Sequence, residues 1–269
     1  VDSQAARPGQ RPHPCRPASP ARYAVRMTTL TIVSYNIHKG LSAGNRRHVL
    51  RQIRTALAAT DPDLVLLQEI VGAHARHAQR FADWNPEPQT QFLAQELWPH
   101  AIYGRSAQHV HGDHGNAILS KLPVRDWQNV DCSVNRWEQR AILHAVLERD
   151  AGPPVHVCCV HLNLRQSDRR LQVAQLVELV RRCVPDDAPL VIGGDFNDWR
   201  LQAGDVLCDA LGVVDAHVAH LGRHARTFPA WRPLLPLDRI YCRGFEVETV
   251  EVMNGRPWRG MSDHLALAA

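Results

Sequence analysis

The 269-residue chain lacks any apolar run near the ~20 residues that span a bilayer, so no transmembrane segment is expected. Its seven cysteines are odd in number and contain no C-x-x-C pair, and Cys158 and Cys159 sit together inside an apolar run. This excludes a disulfide framework and fits reduced thiols in the cytoplasm. Cys and His residues are not clustered at zinc spacing either. No internal repeat is visible, and no linker follows residue 26. A general basic excess is also missing. The formal charge of +4 arises in residues 1–26, where Arg7, Arg11, Arg16, Arg22 and Arg26 face Asp2 alone. The remainder is formally neutral, so it has no overall field of the kind that drives salt-sensitive nucleic-acid binding, and only local patches remain.

Residues 1–26 are rich in Pro, Arg, Ala and Ser without periodicity and are expected to be a disordered N-terminal extension. They lack the apolar centre of a secretory signal. Met27 is expected to open the folded unit, leaving residues 27–269 as one α/β domain. The 45% of hydrophobic residues supports a substantial core.

Residues 29–35 alternate and are β-branched, which predicts a strand ending at Asn36-Ile37-His38-Lys39-Gly40. Val49, Leu50, Ile53 and Leu57 recur at helical spacing over 46–59. Pro62 stops that helix, and 64–67 reads as a buried strand finishing in Gln68-Glu69. Residues 71–90 and 104–115 read as polar loops around a short helix over 90–98; the second loop carries His109, His111 and His114. Strands are expected at 116–120, 140–147 and 155–160, then a helix over 168–183. A strand over 190–194, a helix near 204–211, a Pro-rich loop, and strands at 237–241 and 261–267 complete the chain. Strands alternating with helices in this order predict sheets layered by helices.

The stretch Val191-Ile192-Gly193-Gly194-Asp195-Phe196-Asn197-Asp198-Trp199 is the most informative. An apolar strand runs into two glycines, which allow a close ligand approach or a turn. Asp195 and Asn197, two apart, share a face if the strand continues. A plain turn closed by Asp and Asn side chains explains the same residues. The pattern recurs, however. Asn36, Glu69, His161, Asp195 with Asn197, Asp238 and the Asp263-His264 pair each sit at the end of an expected strand, and strand ends on one sheet edge converge on a crevice. Glu69 with Asn36 offers a hard, sparse oxygen site suited to Mg²⁺. His161 and His264 can donate to phosphoryl oxygens, with Asp238 placed to keep one of them protonated. Asp195 can take the proton of an attacking water. Together these make a phosphoester-hydrolysis site.

The same residues carry a resemblance. Ile32-Val33-Ser34-Tyr35-Asn36, Gln68-Glu69, the segment from Gly115 to Pro123, His161-Leu162-Asn163, Gly194-Asp195-Phe196-Asn197, Leu237-Asp238-Arg239-Ile240 and Ser262-Asp263-His264 resemble, in order, the motifs of the endonuclease/exonuclease/phosphatase superfamily. Asn36-Ile37-His38-Lys39-Gly40 and His114-Gly115-Asn116-Ala117 resemble a poorly characterised bacterial branch of it. The resemblance implies a deoxyribonuclease I-like, four-layer α/β sandwich of two mixed β-sheets flanked by helices. It implies Mg²⁺, with Mn²⁺ as a substitute, held by Asn36 and Glu69 with Asp263 nearby. Asp195 would activate water, Asn197 would bind phosphate, and His264 with Asp238 would stabilise the transition state. His161 replaces the earlier tyrosine of abasic-site exonucleases, which argues against abasic-site repair. Asn116, Arg140 and Tyr103 are expected to contact phosphate or substrate, and Glu138 is a further candidate.

Substrate stays open at this stage: nucleic acid, a phospholipid or sphingomyelin-type head group, or a small phosphodiester or monoester. Arg105, Lys121, Arg136, Trp137 and Arg140 are the candidates for a nucleic-acid groove; Trp84 and the Phe228-to-Leu237 segment with Trp231 are those for a lipid surface. A non-catalytic phosphate-binding protein of the same fold is the reading outside enzymes. No obligate protein partner is expected.

Overall fold

Residues 32–36 are apolar or small on both faces and form a fully buried strand, β1 (Ile32–Asn36). The computed structural model describes residues 29–269; the expected N-terminal extension and Met27 lie outside the described residues. From β1 the chain passes through α1 (Leu50–Thr60) to β2 (Leu64–His74), α2 (Ala75–Arg80) and α3 (Gln89–Ala94). A hairpin of β3 (His100–His109) and β4 (Gly112–Ser120) precedes β5 (Val124–Asp131), β6 (Ala141–Leu147) and β7 (Val155–His161). Then come α4 (Gln166–Cys183), β8 (Leu190–Asp195), α5 (Gln202–Leu211), β9 (Val214–Asp215) and α6 (Ala216–Leu221). β10 (Asp238–Arg243), β11 (Glu251–Val252) and β12 (Leu267–Ala268) close the fold.

Two six-stranded mixed sheets result, ordered β11-β12-β1-β2-β4-β3 and β5-β6-β7-β8-β10-β9. Leu64, Leu66, Ile118, Leu143, Val157, Val191 and Ile240 pack between them. On the outer faces, Val33, Tyr35, Val65 and Leu67 pack with Ile53 and Leu57 of α1, and Cys158, Val160 and Ile192 with Leu176 and Val180 of α4. The layers are therefore helix, sheet, sheet, helix, as the resemblance implies.

The two-residue period of a strand places the site. Ile32, Val157, Val191 and Ile240 all face the partner sheet. Asn36, His161, Asp195 and Asp238 share their parity and so enter the crevice between the sheets. The pairing Asp238↔Asp195 and His161↔Asp195 sets three of them side by side.

Several expectations need correction. Residues 71–80 and 104–115 are not loops: β2 runs to His74 and leads into α2, and β3 and β4 form a long hairpin, whereas 81–88 is the expected loop. Half-exposed His, Gln and Arg carry no apolar alternation there, so the strand period is hidden. β5 is an edge strand of mixed polarity and escaped notice for the same reason. Packing alone requires glycine at 193 and 194. A Cβ at Gly193 would meet Leu66 Cδ1 at 2.5 Å, and one at Gly194 (φ +149°) would meet Val160 O at 1.9 Å. β8 stops at Asp195, so Asn197 (φ +50°) lies in a turn and not on the same strand face. The closing strand is only Leu267–Ala268, which leaves Asp263 and His264 in the preceding loop.

Away from the crevice, His144 and His156 stack on the outer face of the second sheet, with His144 Nε2 3.1 Å from His156 Nδ1. Gln128 Nε2 lies 3.2 Å from His144 Nδ1 and donates to it, so His144 carries its proton on Nε2. Burial lowers the pKa of both histidines, that of His144 from 6.5 to about 4. The folded state thus holds a neutral imidazole that the unfolded chain would protonate. Stability from this source is present above 6.5 and is lost as pH falls from 6.5 towards about 4, with a slope of up to about 1.4 kcal/mol per pH unit per proton. His144→Gln should flatten that part of the stability–pH curve, measured by urea unfolding across the window. An unchanged slope would remove His144 as its source.

Candidate active site

Asp195 ends β8 and is the most shared group in the crevice. Its Oδ2 accepts from Asn36 Nδ2 at 3.1 Å and lies 3.4 Å from His161 Nε2 and 3.7 Å from His264 Nε2. Its Oδ1 accepts from the Asn197 backbone N–H at 2.9 Å, the Asx turn that the alternative reading of this motif requires. The motif is therefore both a turn and a site. Burial lifts the Asp195 carboxyl to about 7, against the pull of the His264 charge.

His264 is held by Asp238: Nδ1 lies 2.8 Å from Asp238 Oδ2, and Phe228 packs on the ring at 4.9 Å. Burial alone would neutralise it, but Asp238 and Asp195 raise its pKa to about 10, so it is an imidazolium. Asp238 itself is pinned by the Thr227 hydroxyl, which donates to the same Oδ2. His161 behaves oppositely. It is buried, and desolvation together with the Arg140 charge holds it well below its ordinary value, hence neutral.

Glu69 reaches the site through a bulge. Strict alternation would turn it outward with Leu67, but the β2–β4 register breaks between Leu67 and Ile70, and Glu69 has φ +56°. Its Oε2 is buried without an aligned hydrogen bond and faces Lys39 Nζ at 3.2 Å. Burial raises its pKa, yet Lys39 above all, with His38, holds it well below the carboxylate range. Asp263 pairs with His38 Nδ1 at 3.0 Å, and Ser262 Oγ donates to the Asn36 carbonyl at 2.7 Å, locking the 262–264 loop to the end of β1.

Asn36, Glu69 and Asp263 each offer a hard oxygen; Asn36 Oδ1 accepts from the His38 N–H at 3.1 Å and Glu69 Oε2 faces an ammonium, a position that a divalent cation could take over. Asp195, Asp238 and His264 also bring ligand atoms within 4.8 Å of one another. That trio is the poorer cation site, because Asp238 is spent on an imidazolium that repels a second positive charge.

The remaining expected residues divide. Arg140 belongs to the cluster: its charge acts on His161 and His114, and Nη2 pairs with Glu138 at 3.0 Å. Asn197 Nδ2 is given to the Leu162 carbonyl at 2.9 Å. Asn116 is buried and ties the sheets together, donating to the carbonyls of Ala141 and Cys159. Tyr103 donates to Asp113 on the hairpin. Lys121 lies at the opposite sheet edge, paired with Asp61. Sequence reasoning underrated Lys39, His38 and His114. His114 is partly buried beside Lys39 and Glu69 and lowered to about 4, although the Asn36-to-Gly40 and His114-to-Ala117 motifs pointed to it. Behind the site, Arg239 donates to the Asp198 carbonyl at 2.6 Å and anchors the turn after Asn197. A separate cavity of about 350 Å³, lined by Leu30, Leu122 and Cys242, opens at the far edge and holds none of these groups.

The family model described as the endonuclease/exonuclease/phosphatase family matches residues 33–264. The chain belongs to this family. It is accordingly a hydrolase of phosphoester bonds, and the family generally uses a divalent metal. Within the family, the chain is 40% identical over 239 residues to the uncharacterized protein YbhP of Escherichia coli (strain K12), covering 88% of this chain and 94% of that protein. The family's fold recurs in an endonuclease/exonuclease/phosphatase from Bacteroides vulgatus (TM-score 0.70, 17% identity, 89% of this chain and 97% of that one). It recurs also in a mannosyl-6-phosphatase from Bacteroides thetaiotaomicron (0.66, 17%, 89% and 98%) and in D. rerio TDP2 complexed with a single-strand DNA product (0.63, 17%, 89% and 97%).

If Glu69 is the main cation ligand, Glu69→Gln should weaken Mg²⁺ and Mn²⁺ binding in calorimetry by about tenfold or more while the melting temperature stays close to the parent's. Cation affinity equal to the parent's would place the ion elsewhere.

Proposed function

We propose that this chain is a Mg²⁺-dependent phosphodiesterase in which Asp195 takes the proton of the attacking water. The observation that carries this reading is the buried Asp195 carboxylate shared by Asn36, His161, His264 and Asn197. A buried acid lifted towards neutrality is matched to proton abstraction at physiological pH. The attacking oxygen bonds to phosphorus, its proton passes to Asp195, the ester P–O bond breaks, and the leaving oxygen takes a proton from solvent.

His264, kept cationic by Asp238, donates through Nε2 to a phosphoryl oxygen as its charge grows, and neutral His161 offers a second donor. Arg140 adds positive charge beside them. Asn197 positions Asp195 through its backbone N–H and reaches phosphate only if Nδ2 leaves the Leu162 carbonyl. Mg²⁺, or Mn²⁺ in its place, held by Asn36, Glu69 and Asp263, would supply Lewis-acid stabilisation of the phosphoryl group. A set of acid, amide and imidazole groups, of which Asp195, His264 and His161 have strongly shifted pKa values, supports catalysis over mere phosphate binding.

The test is hydrolysis of bis-p-nitrophenyl phosphate with Mg²⁺. Asp195→Asn preserves shape and removes the base, so kcat should fall by roughly 10²- to 10⁴-fold with KM little changed. A raised KM with intact kcat would mean that the pocket binds phosphate without Asp195 acting on it.

A further inference from the structure

The site edge of the second sheet is built from four loops: 132–140, 162–165, 196–201 and 222–237. On them stand Trp137 (80% exposed), Leu164 (59%), Trp199, Trp231 (69%), Leu234 and Leu235, every one an exposed large apolar side chain. They form one rim. The Leu164 N–H donates to Glu138 Oε1 at 3.0 Å, joining the first two loops. Arg200 donates to Gln166 Oε1 at 3.2 Å, tying the third loop to the start of α4, directly after the second. Arg239 donates to the carbonyls of both Asp198 and Pro236, linking the third to the fourth. The rim also borders the chemistry: Trp199 lies four residues past Asp195, Leu164 three past His161, and Phe228 packs on His264.

The charges on these loops have one sign. Arg136, Arg165, Arg200, Arg226 and Arg232 are exposed, while Glu138 is paired with Arg140 and Asp198 is buried. Arg136 stacks on Trp137 at 4.4 Å. Tryptophan and leucine interleaved with arginine suit the boundary between lipid headgroups and acyl chains, where the rings and alkyl groups enter and the guanidinium groups meet anionic phosphates. Stacking on nucleobases would use the tryptophans but leaves Leu164, Leu234 and Leu235 without a role. Trp84, the other lipid-facing candidate in the sequence, instead packs against His48 and His77.

We propose that this rim docks on an anionic phospholipid surface and delivers a lipid-borne phosphoester to Asp195. The substrate class rests on the phosphodiesterase reading above; the docking does not.

Cosedimentation with vesicles of phosphatidylcholine containing one third phosphatidylglycerol tests it, with bis-p-nitrophenyl phosphate hydrolysis measured in parallel. The parent should bind these vesicles, and the Trp137→Ala/Trp231→Ala variant should lose about tenfold or more of that affinity with its hydrolysis of the soluble ester unchanged. Brominated lipid should quench the parent's tryptophan fluorescence. A parent that hydrolyses the soluble ester but ignores vesicles would overturn the docking and leave the phosphodiesterase intact. Vesicle binding unaffected by the double substitution would overturn it too. Binding of a single-stranded oligonucleotide, lost in the variant and unaccompanied by vesicle binding, would assign the rim to nucleic acid. Vesicle binding without hydrolysis of the soluble ester would uphold the docking and sink the phosphodiesterase reading instead.

Discussion

A carboxylate removed from water must be compensated where it lies, and Asp195 is the buried charge around which this molecule is arranged. Removing one partner of such a group costs several kcal/mol, so its neighbours are constrained together. Asn36 comes from β1 and His264 from the loop before β12 of one sheet; His161 and Asn197 come from β7 and the turn after β8 of the other. Their convergence fixes how the two sheets face each other at this edge. Asn116 and Gln68 reinforce the same junction from below, donating across the sheet interface to the Cys159 carbonyl and sulfur.

The crevice gives its two histidines different charge by environment. His264 is an imidazolium because Asp238 and Asp195 outweigh its burial, whereas His161, equally buried, stays neutral because Arg140 and desolvation act in the same direction. Two histidines on one carboxylate thereby differ in charge. On the other side, Lys39 and His38 hold the carboxylates of Glu69 and Asp263 with both residues in the left-handed region (φ +60° and +47°). That strained turn places an ammonium and an imidazole against the carboxylates of Glu69 and Asp263.

Most of this was legible from residue order. Buried strands such as β1, β7 and β8 have continuous apolar runs that end abruptly in Asn36, His161 and Asp195, so the change from apolar to polar marks both the strand end and the site. Glu69 was legible as a residue but not in its direction, since the bulge that turns it inward leaves no trace in hydrophobic period. The distal part of the β3–β4 hairpin, 104–115, reads as a loop because exposed Arg105, Gln108 and His109 break the apolar alternation, which also hides His114 beside Glu69. Asn197 shows the limit of parity arguments: the strand stops two residues too early for them to hold. The apolar rim was half visible, through Trp231, but only the hydrogen bonds among its loops show that Trp137, Leu164 and Trp199 belong to it.

The central claim is that Asp195 and His264 serve one transition state across a 3.7 Å gap. A double-mutant cycle on kcat for bis-p-nitrophenyl phosphate, with Asp195→Asn, His264→Ala and both together, tests it most directly. Groups acting as a unit are strongly non-additive, so the double variant should lose far less than the product of the two single losses. Strictly multiplicative losses would show two independent residues and contradict the shared site.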